Sequence, residues 1–305
     1  MTVGRFAPSP SGRMHLGNIF TALLAWLSAR AQDGEFILRI EDLDPDRCRA
    51  EYAEAIREDL RWLGLDWDRE MPLQSTRTGV YAAQFARLQK SNQIYPCFCT
   101  RNELHAASAP HASDGALLYA GTCRGLSAAQ IAAQTRKPAW RIRVPEKSIS
   151  FHDGIFGEVT QNLAEECGDF ILRRSDGVYA YQLAVVCDDA LGGITQVVRG
   201  RDLLPSTPRQ LWLQEELGFA HPAYYHVPLL VAPDGRRLSK RERDLDMEHL
   251  RRRYRPQELV GRLACLAGIL PESREVTPEE LSHEFTWDSV RREDIPIFED
   301  FLDIL

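Results

Sequence analysis

The sequence predicts an α/β protein built on a parallel sheet, and three observations carry that prediction. Short apolar runs alternate with helix-length amphipathic segments from the first residues onward. A loop rich in proline and glycine joins the first run to the first helix. The same alternation returns after an intervening stretch of different texture. Strand, glycine loop, helix, strand, helix is the opening of a parallel domain that binds ligands at its strand ends.

The elements follow in order. Residues 3–7 are rich in apolar side chains and read as a buried first strand, broken by Pro8-Ser9-Pro10-Ser11-Gly12. Over 18–31, Ile19, Leu23, Leu24, Trp26 and Leu27 recur at helical spacing. Residues 35–40 suggest a second strand, and 52–63 an amphipathic helix stopped by Gly64. The stretch around Cys97 to Cys123 is loop-like and rich in Ala, Ser and His. Residues 140–144, 148–151 and 157–160 suggest short strands of an inserted module. Parallel texture returns at 179–186 and 196–199, with a helix over 208–217 and a strand over 227–231. From Met247 the pattern is helical to the end.

Composition excludes several classes. At 305 residues the chain can bury a substantial core, and 44% hydrophobic with 27% charged residues is ordinary soluble usage. A net charge of −7 argues against a general nucleic-acid coat, and against DNA as partner, without excluding a local basic face. Arg236 to Arg255 is such a stretch, with Arg251-Arg252-Arg253-Tyr254-Arg255 at its end; it suits either an RNA backbone or a solvated helix face. No apolar run nears the roughly 20 residues of a membrane span, and the first residues do not read as a signal peptide. Seven cysteines is an odd number, and Cys97, Cys99 and Cys123 cluster, which suits reduced thiolates in the cytoplasm rather than a disulfide framework. Three such sulfurs fit structural zinc, with His105 or His111 as the fourth ligand on ligand chemistry alone. Cys48, Cys167, Cys187 and Cys265 lack partner spacing and read as packing residues.

The strongest signal is the string from Arg5 to Asn18, which contains His15-Leu16-Gly17 and runs from the first strand into a helix. A helix N-terminus offers free N–H groups and a positive dipole end to a triphosphate. His15 can donate to a phosphate oxygen, and Gly17 leaves room for a flat base on the backbone. Leu238-Ser239-Lys240 supplies a loop lysine suited to neutralising charge that develops during in-line displacement on phosphorus.

Together these strings resemble the two signatures of class I aminoacyl-tRNA synthetases. The flanks, Arg5-Phe6-Ala7-Pro8-Ser9-Pro10 and Arg39-Ile40-Glu41-Asp42-Leu43-Asp44, resemble the glutamyl branch, and the resemblance covers about residues 3–245. It departs at Asn18, where a histidine is expected, and at Leu238, where methionine is expected. The family resemblance implies a Rossmann-like catalytic domain in two halves, 1–95 and 181–245. A zinc-bearing acceptor-type module would interrupt it at 96–180, and a short helical domain would follow at 246–305. It assigns catalysis and ATP binding to His15, Gly17, Asn18, Ser239 and Lys240, with magnesium accompanying ATP. It assigns the glutamate pocket to Arg5, Ala7, Ser9, Glu41, Tyr181 and Arg199. The residue types agree: Arg5 and Arg199 can each fork onto a carboxylate, Glu41 can hold an ammonium, and Tyr181 supplies a hydroxyl. The resemblance also makes Tyr119 the fourth zinc ligand.

The length is similar to that of the glutamyl-queuosine tRNA(Asp) synthetases, which lack the anticodon-binding domain and share the Asn18 departure. That group implies a monomeric enzyme that passes activated glutamate to queuosine in tRNA(Asp). Two other readings stay open: 3′-end charging by a shortened glutamyl-tRNA synthetase, and a catalytically silent RNA-binding paralogue.

Overall fold

The structure is a computed structural model that describes residues 1–100, 103, 118–236 and 245–298. Strands β1 (Val3–Phe6), β2 (Glu35–Leu38) and β3 (Arg69–Glu70) form a parallel sheet, with helices Leu16–Arg30 and Ala50–Leu63 as the crossovers. Gly64 ends the second helix in a left-handed conformation, φ 79°, which glycine adopts without a Cβ clash. After helix Thr78–Lys90 come β4 (Ile94–Cys97), β5 (Ala139–Ile142), β6 (Ser148–Asp153), β7 (Gly157–Asn162) and β8 (Ile171–Arg173). Helix Tyr181–Leu191 leads to β9 (Gln196–Gly200), and helix Thr207–Leu217 joins that strand to β10 (Ala223–Val227). Short strands β11 (Leu230–Val231) and β12 (Ile295–Pro296) pair in parallel.

The strands expected of an inserted module divide between two sheets. β4, β5 and β8 make an antiparallel sheet of their own. The β6–β7 hairpin instead extends the sheet that holds β10 and β9, through the register pair Tyr224–Asp153. The strand expected over 227–231 is split: β10 ends at Val227, Pro228, which cannot donate to a ladder, follows, and β11 takes up Leu230–Val231.

β9 runs beside β1, where Thr195 N–H donates to the Val3 carbonyl (3.0 Å) and Val3 N–H to Thr195 Oγ1 (2.8 Å). β2 and β3 therefore lie to one side of β1, and β9 and β10 to the other. The loops leaving β1 and β9 depart in opposite directions and open a crevice at the strand ends.

Both faces of this sheet are buried, as parallel crossovers require. Phe36 and Leu38 of β2 and Val198 of β9 enter one apolar cluster, while Ile37 and Val197 enter the other, the period of two expected of a strand. Helix Leu16–Arg30 is buried almost all round because helix Pro278–Ser282 covers its outer side.

The C-terminal segment is less helical than its pattern suggests. Helices Met247–Arg253, Pro256–Ala267 and Pro278–Ser282 are short, and β12 follows them. Its residues Leu259, Leu263, Val276, Leu281 and Ile295 belong to the same cluster as Leu16 and Leu24, so this segment packs as part of the same apolar core. Among the described residues no helix is long and apolar enough to cross a membrane.

This packing predicts two opposite glycine effects. A Cβ at Gly261 would lie 1.7 Å from the Arg274 carbonyl oxygen, whereas one at Gly79 meets nothing within 4 Å. Gly261→Ala should cost about 2–3 kcal/mol of unfolding free energy in a denaturant titration. Gly79→Ala should be neutral or stabilising by about 0.5 kcal/mol.

Candidate active site

The loop after β1 is hung on the chain that continues β2. Phe6, Pro8 and Pro10 carbonyls accept from the amides of Arg39 (3.0 Å), Glu41 (2.9 Å) and Arg49 (3.0 Å). Prolines bring no N–H of their own, so a segment rich in them needs only its carbonyls satisfied.

His15 then N-caps helix Leu16–Arg30. Its Nδ1 accepts from Gly17 N–H (3.1 Å), and Asn18 Oδ1 accepts from His15 N–H (3.0 Å), a reciprocal capping box. With Nδ1 as acceptor, the neutral ring carries its proton on Nε2. A Cβ on Gly17 would meet His15 Cε1 at 3.1 Å, so the flat ring that Gly17 accommodates is that of His15 itself. Asn18 commits its carbonyl oxygen to the cap, which leaves its amide N–H groups for a ligand.

A cleft of about 470 Å³ opens at the strand ends, and Arg5, Ala7, Ser9, His15, Gly17, Asn18, Glu41, Tyr181 and Arg199 all line it. The sequence singled out each of these. Leu238, Ser239 and Lys240 lie outside the described residues. The chain that follows them returns to this site: Met247 N–H donates to the Met14 carbonyl (2.9 Å), and Arg13 pairs with Glu248 (3.0 Å).

The floor of the cleft is a buried charge cluster. Arg39 is fully buried and donates to Asp189 Oδ1 (2.5 Å) and to Glu41 Oε1 (3.0 and 3.2 Å). Arg5 reaches the same Asp189 oxygen (3.4 Å) and the Val198 carbonyl (3.0 Å). Burial alone would lower the Arg39 pKa, but the Asp189 and Glu41 carboxylates raise it above the ordinary arginine value. Asp189 is held below its ordinary range because Arg39 and Arg5 outweigh its burial. Burial pushes Glu41 up against the pull of Arg39. Asp42, in the same string, accepts from Ser75 N–H (2.9 Å) and Ser75 Oγ (2.6 Å).

Arg199 is held differently. Its Nε–H donates to His226 Nε2 (3.0 Å), Nη1 to Gln210 Oε1 (2.8 Å), and Nη2 to Thr207 Oγ1 (2.8 Å) and the Leu203 carbonyl (3.4 Å). Among the described residues four of its five N–H groups are taken and one is left for a ligand. Arg5 keeps three, enough for a bidentate contact. Glu41 Oε2 and Tyr181 Oη have no hydrogen-bond partner among the described residues. Arg39, Asp189, His226 and Asp153 escaped the sequence reading as site residues. The Asp188-Asp189 doublet inside an apolar helix was the signal for one of them, since buried carboxylates need partners.

The cysteine cluster forms as expected. The sulfurs of Cys97, Cys99 and Cys123 lie within 4.8 Å of one another, and Cys99 and Cys123 are 3.6 Å apart, so they are free thiols rather than a disulfide. Three thiolates on a tetrahedral metal would sit about 3.8 Å apart. Tyr119 Oη lies 3.5 Å from Cys97 Sγ and 3.9 Å from Cys99 Sγ. His105 and His111 lie outside the described residues. Cys97, Tyr119 and Cys123 are buried, so this stretch has its own small core, contrary to its polar texture. Of the other cysteines, Cys167 and Cys187 are buried, and Cys48 and Cys265 partly so.

Residues 237–244 of the basic stretch lie outside the described residues. Among the described ones, Arg251 donates to Asp59 (3.0 Å), Arg252 to Glu248 (2.7 Å), and Arg255 pairs with Glu258 and Glu275, so these three cations are locally paired.

Comparison with known proteins matches residues 1–299 to the family described as tRNA synthetases class I (E and Q), catalytic domain. The chain belongs to this family. It is 50% identical over 286 residues to the Glutamyl-Q tRNA(Asp) synthetase of Nitratidesulfovibrio vulgaris, covering 89% of this chain and 88% of that relative. It is 47% identical over 313 residues to the Glutamyl-Q tRNA(Asp) synthetase of Symbiobacterium thermophilum, covering 97% and 96%. Among solved structures it is similar to a glutamate tRNA ligase from Elizabethkingia meningosepticum in complex with its amino acid. There the TM-score is 0.84 at 28% identity, covering 99% of this chain and 68% of that one.

His226 gives the site a pH signature. Burial, opposed by Asp153, pushes its pKa down from 6.5 to about 4. A depressed histidine pKa means that the unfolded chain takes the proton first. Its contribution is therefore complete above pH 6.5 and is lost as pH falls toward 4. Unfolding free energy should drop by on the order of 2–3 kcal/mol across that window, and His226→Gln should flatten the slope in denaturant titrations.

Proposed function

We propose that this chain is an ATP-dependent ligase that activates glutamate as glutamyl-adenylate and passes it to queuosine in tRNA(Asp). The observation that carries the glutamate half is the unused hydrogen-bonding capacity of the cleft. Three N–H groups of Arg5, one of Arg199 and the Tyr181 hydroxyl suit two carboxylates. The free oxygen of Glu41 suits an ammonium. Glutamate presents that set of groups, and glutamine lacks one of the carboxylates. The names of the relatives supply the acceptor.

In the first step a glutamate carboxylate oxygen attacks the α-phosphorus of ATP in line. The new P–O bond forms as the bond to pyrophosphate breaks, and the leaving electrons go to pyrophosphate oxygen. His15 Nε2–H and the first-turn amides stabilise the charge on the phosphates, and Lys240 adds a cation from its loop. Magnesium enters with ATP as part of the substrate. In the second step a hydroxyl of queuosine attacks the mixed anhydride and AMP leaves. That step needs no protein nucleophile. The three cysteines with the Tyr119 hydroxyl fit a structural zinc ion, which would fix the ends of the segment between Cys99 and Cys123. We divide the chain into catalytic halves 1–95 and 181–245 around a module at 96–180, with 246–305 closing the core.

The protein should exchange labelled pyrophosphate into ATP with glutamate, and not with glutamine or aspartate. Lys240→Ala should lower that rate by about 10²–10³-fold. A queuosine-containing anticodon stem-loop should accept labelled glutamate with no 3′ acceptor end present. Equal exchange with glutamine would overturn the pocket assignment, and acceptance only by tRNA(Glu) with an intact 3′ end would overturn the acceptor.

Metal analysis should find about one zinc per chain. The Cys97→Ser/Cys99→Ser double variant should lose it, and retention would place the ligands elsewhere.

A further inference from the structure

We infer that His226, held by Asp153, is a positioning residue for Arg199 and fixes the single donor that Arg199 offers the substrate. The inference rests on the glutamate reading above and deepens it. It begins with the β6–β7 hairpin, which meets the catalytic sheet at Asp153. Asp153 Oδ1 accepts from the turn amides of Ile155 (3.0 Å) and Phe156 (2.9 Å). Its Oδ2 lies 2.6 Å from His226 Nδ1, with both side chains fully buried.

A carboxylate oxygen can only accept, so His226 Nδ1 carries the ring proton and Nε2 presents a lone pair. That lone pair takes Arg199 Nε–H at 3.0 Å. No other described residue accepts from Arg199 Nε. With Gln210 and Thr207 on its other nitrogens, the guanidinium plane is fixed and one N–H remains for a ligand. The opposite tautomer, or the imidazolium, would set N–H against N–H and turn Arg199 away.

The same chain of bonds provides a nearly isosteric test. In Asp153→Asn the two turn amides hold the carbonyl oxygen at the Oδ1 position. The amide nitrogen then replaces Oδ2, giving up the bond that Oδ2 accepts from the His226 backbone N–H (3.2 Å), and faces His226 Nδ1; donating to it moves the ring proton to Nε2. The same logic governs triad aspartates that set a histidine tautomer.

Nitrogen chemical shifts of His226 in the wild-type protein should show Nε2 unprotonated at pH 7, and a protonated Nε2 would overturn the inference without any variant. In pyrophosphate exchange, Asp153→Asn should raise the glutamate KM about 10- to 100-fold, the effect of losing an aligned hydrogen bond to a charged group. The ATP KM and kcat at saturating glutamate should stay within about threefold, because only ground-state positioning is lost. His226→Gln, with one acceptor and one donor, should retain a glutamate KM closer to wild type than His226→Leu. A purely structural role would lower the active fraction and kcat while leaving KM unchanged. Exchange by the wild type tests the glutamate reading separately. If it exchanges with glutamate and Asp153→Asn keeps a wild-type glutamate KM, the positioning role is overturned and that reading stands.

Discussion

The structure depends on one fully buried arginine. Arg39 sits where β2 ends, with no exposed surface. An isolated charge there would be prohibitively costly, so Asp189 and Glu41 must come to it. Asp189 arrives on helix Tyr181–Leu191, some 150 residues later in the chain, and Glu41 two residues on from Arg39. Bringing them together aligns the two halves of the parallel sheet across β1 and sets Arg5 over the junction. The ion pairs are weak evidence for net stability, because desolvation offsets much of the attraction. Their effect is on geometry: any other registry of the two halves would leave a buried charge without a partner.

That constraint explains why the cleft can be both charged and open. Each charged side chain is anchored through part of its hydrogen-bonding capacity and keeps the remainder for the ligand. Glu41 is held through Oε1 and keeps Oε2; Arg5 is held through Nε and one Nη1 hydrogen; Arg199 is held through four of its N–H groups. A site arranged before the substrate arrives need not be ordered by it, so less binding energy is lost to conformational entropy.

Much of this was legible in the sequence, for identifiable reasons. The opening strand–loop–helix could be read because the breakers sit between an apolar run and a helical period, and local chemistry dictates all three. Seven of the nine expected cleft residues lie in two motif strings, Arg5 to Asn18 and Arg39 to Asp44, whereas Tyr181 and Arg199 were assigned through the family resemblance. What could not be read depends on contacts far apart in the chain. The hairpin at 148–162 has ordinary strand texture, and nothing local says which sheet it joins. His226 looks like one polar residue in a strand, and only Asp153 and Arg199, 73 and 27 residues away, give it meaning. Arg251 and Arg255 read as a basic patch because their partners Asp59 and Glu275 lie outside the stretch. Charge runs are readable as sums, whereas electrostatics is decided by pairs.

The nucleotide end of the cleft shows the same economy in the backbone. A helix N-terminus normally leaves four amides unbonded, and a free terminus would bind any anion. Here His15 and Asn18 close the capping box and take up part of that capacity. What they return is directional: the cap fixes the imidazole against Gly17, where a Cβ would collide with it, and puts the ring proton on Nε2. The diffuse attraction of a helix end thus becomes one donor at a set position. The hydrogen bond from Met247 to Met14 ties the chain that follows the lysine loop to this same cap. The chain from Leu245 onward is thereby anchored to the same turn that carries His15, 232 residues earlier in the sequence than Met247.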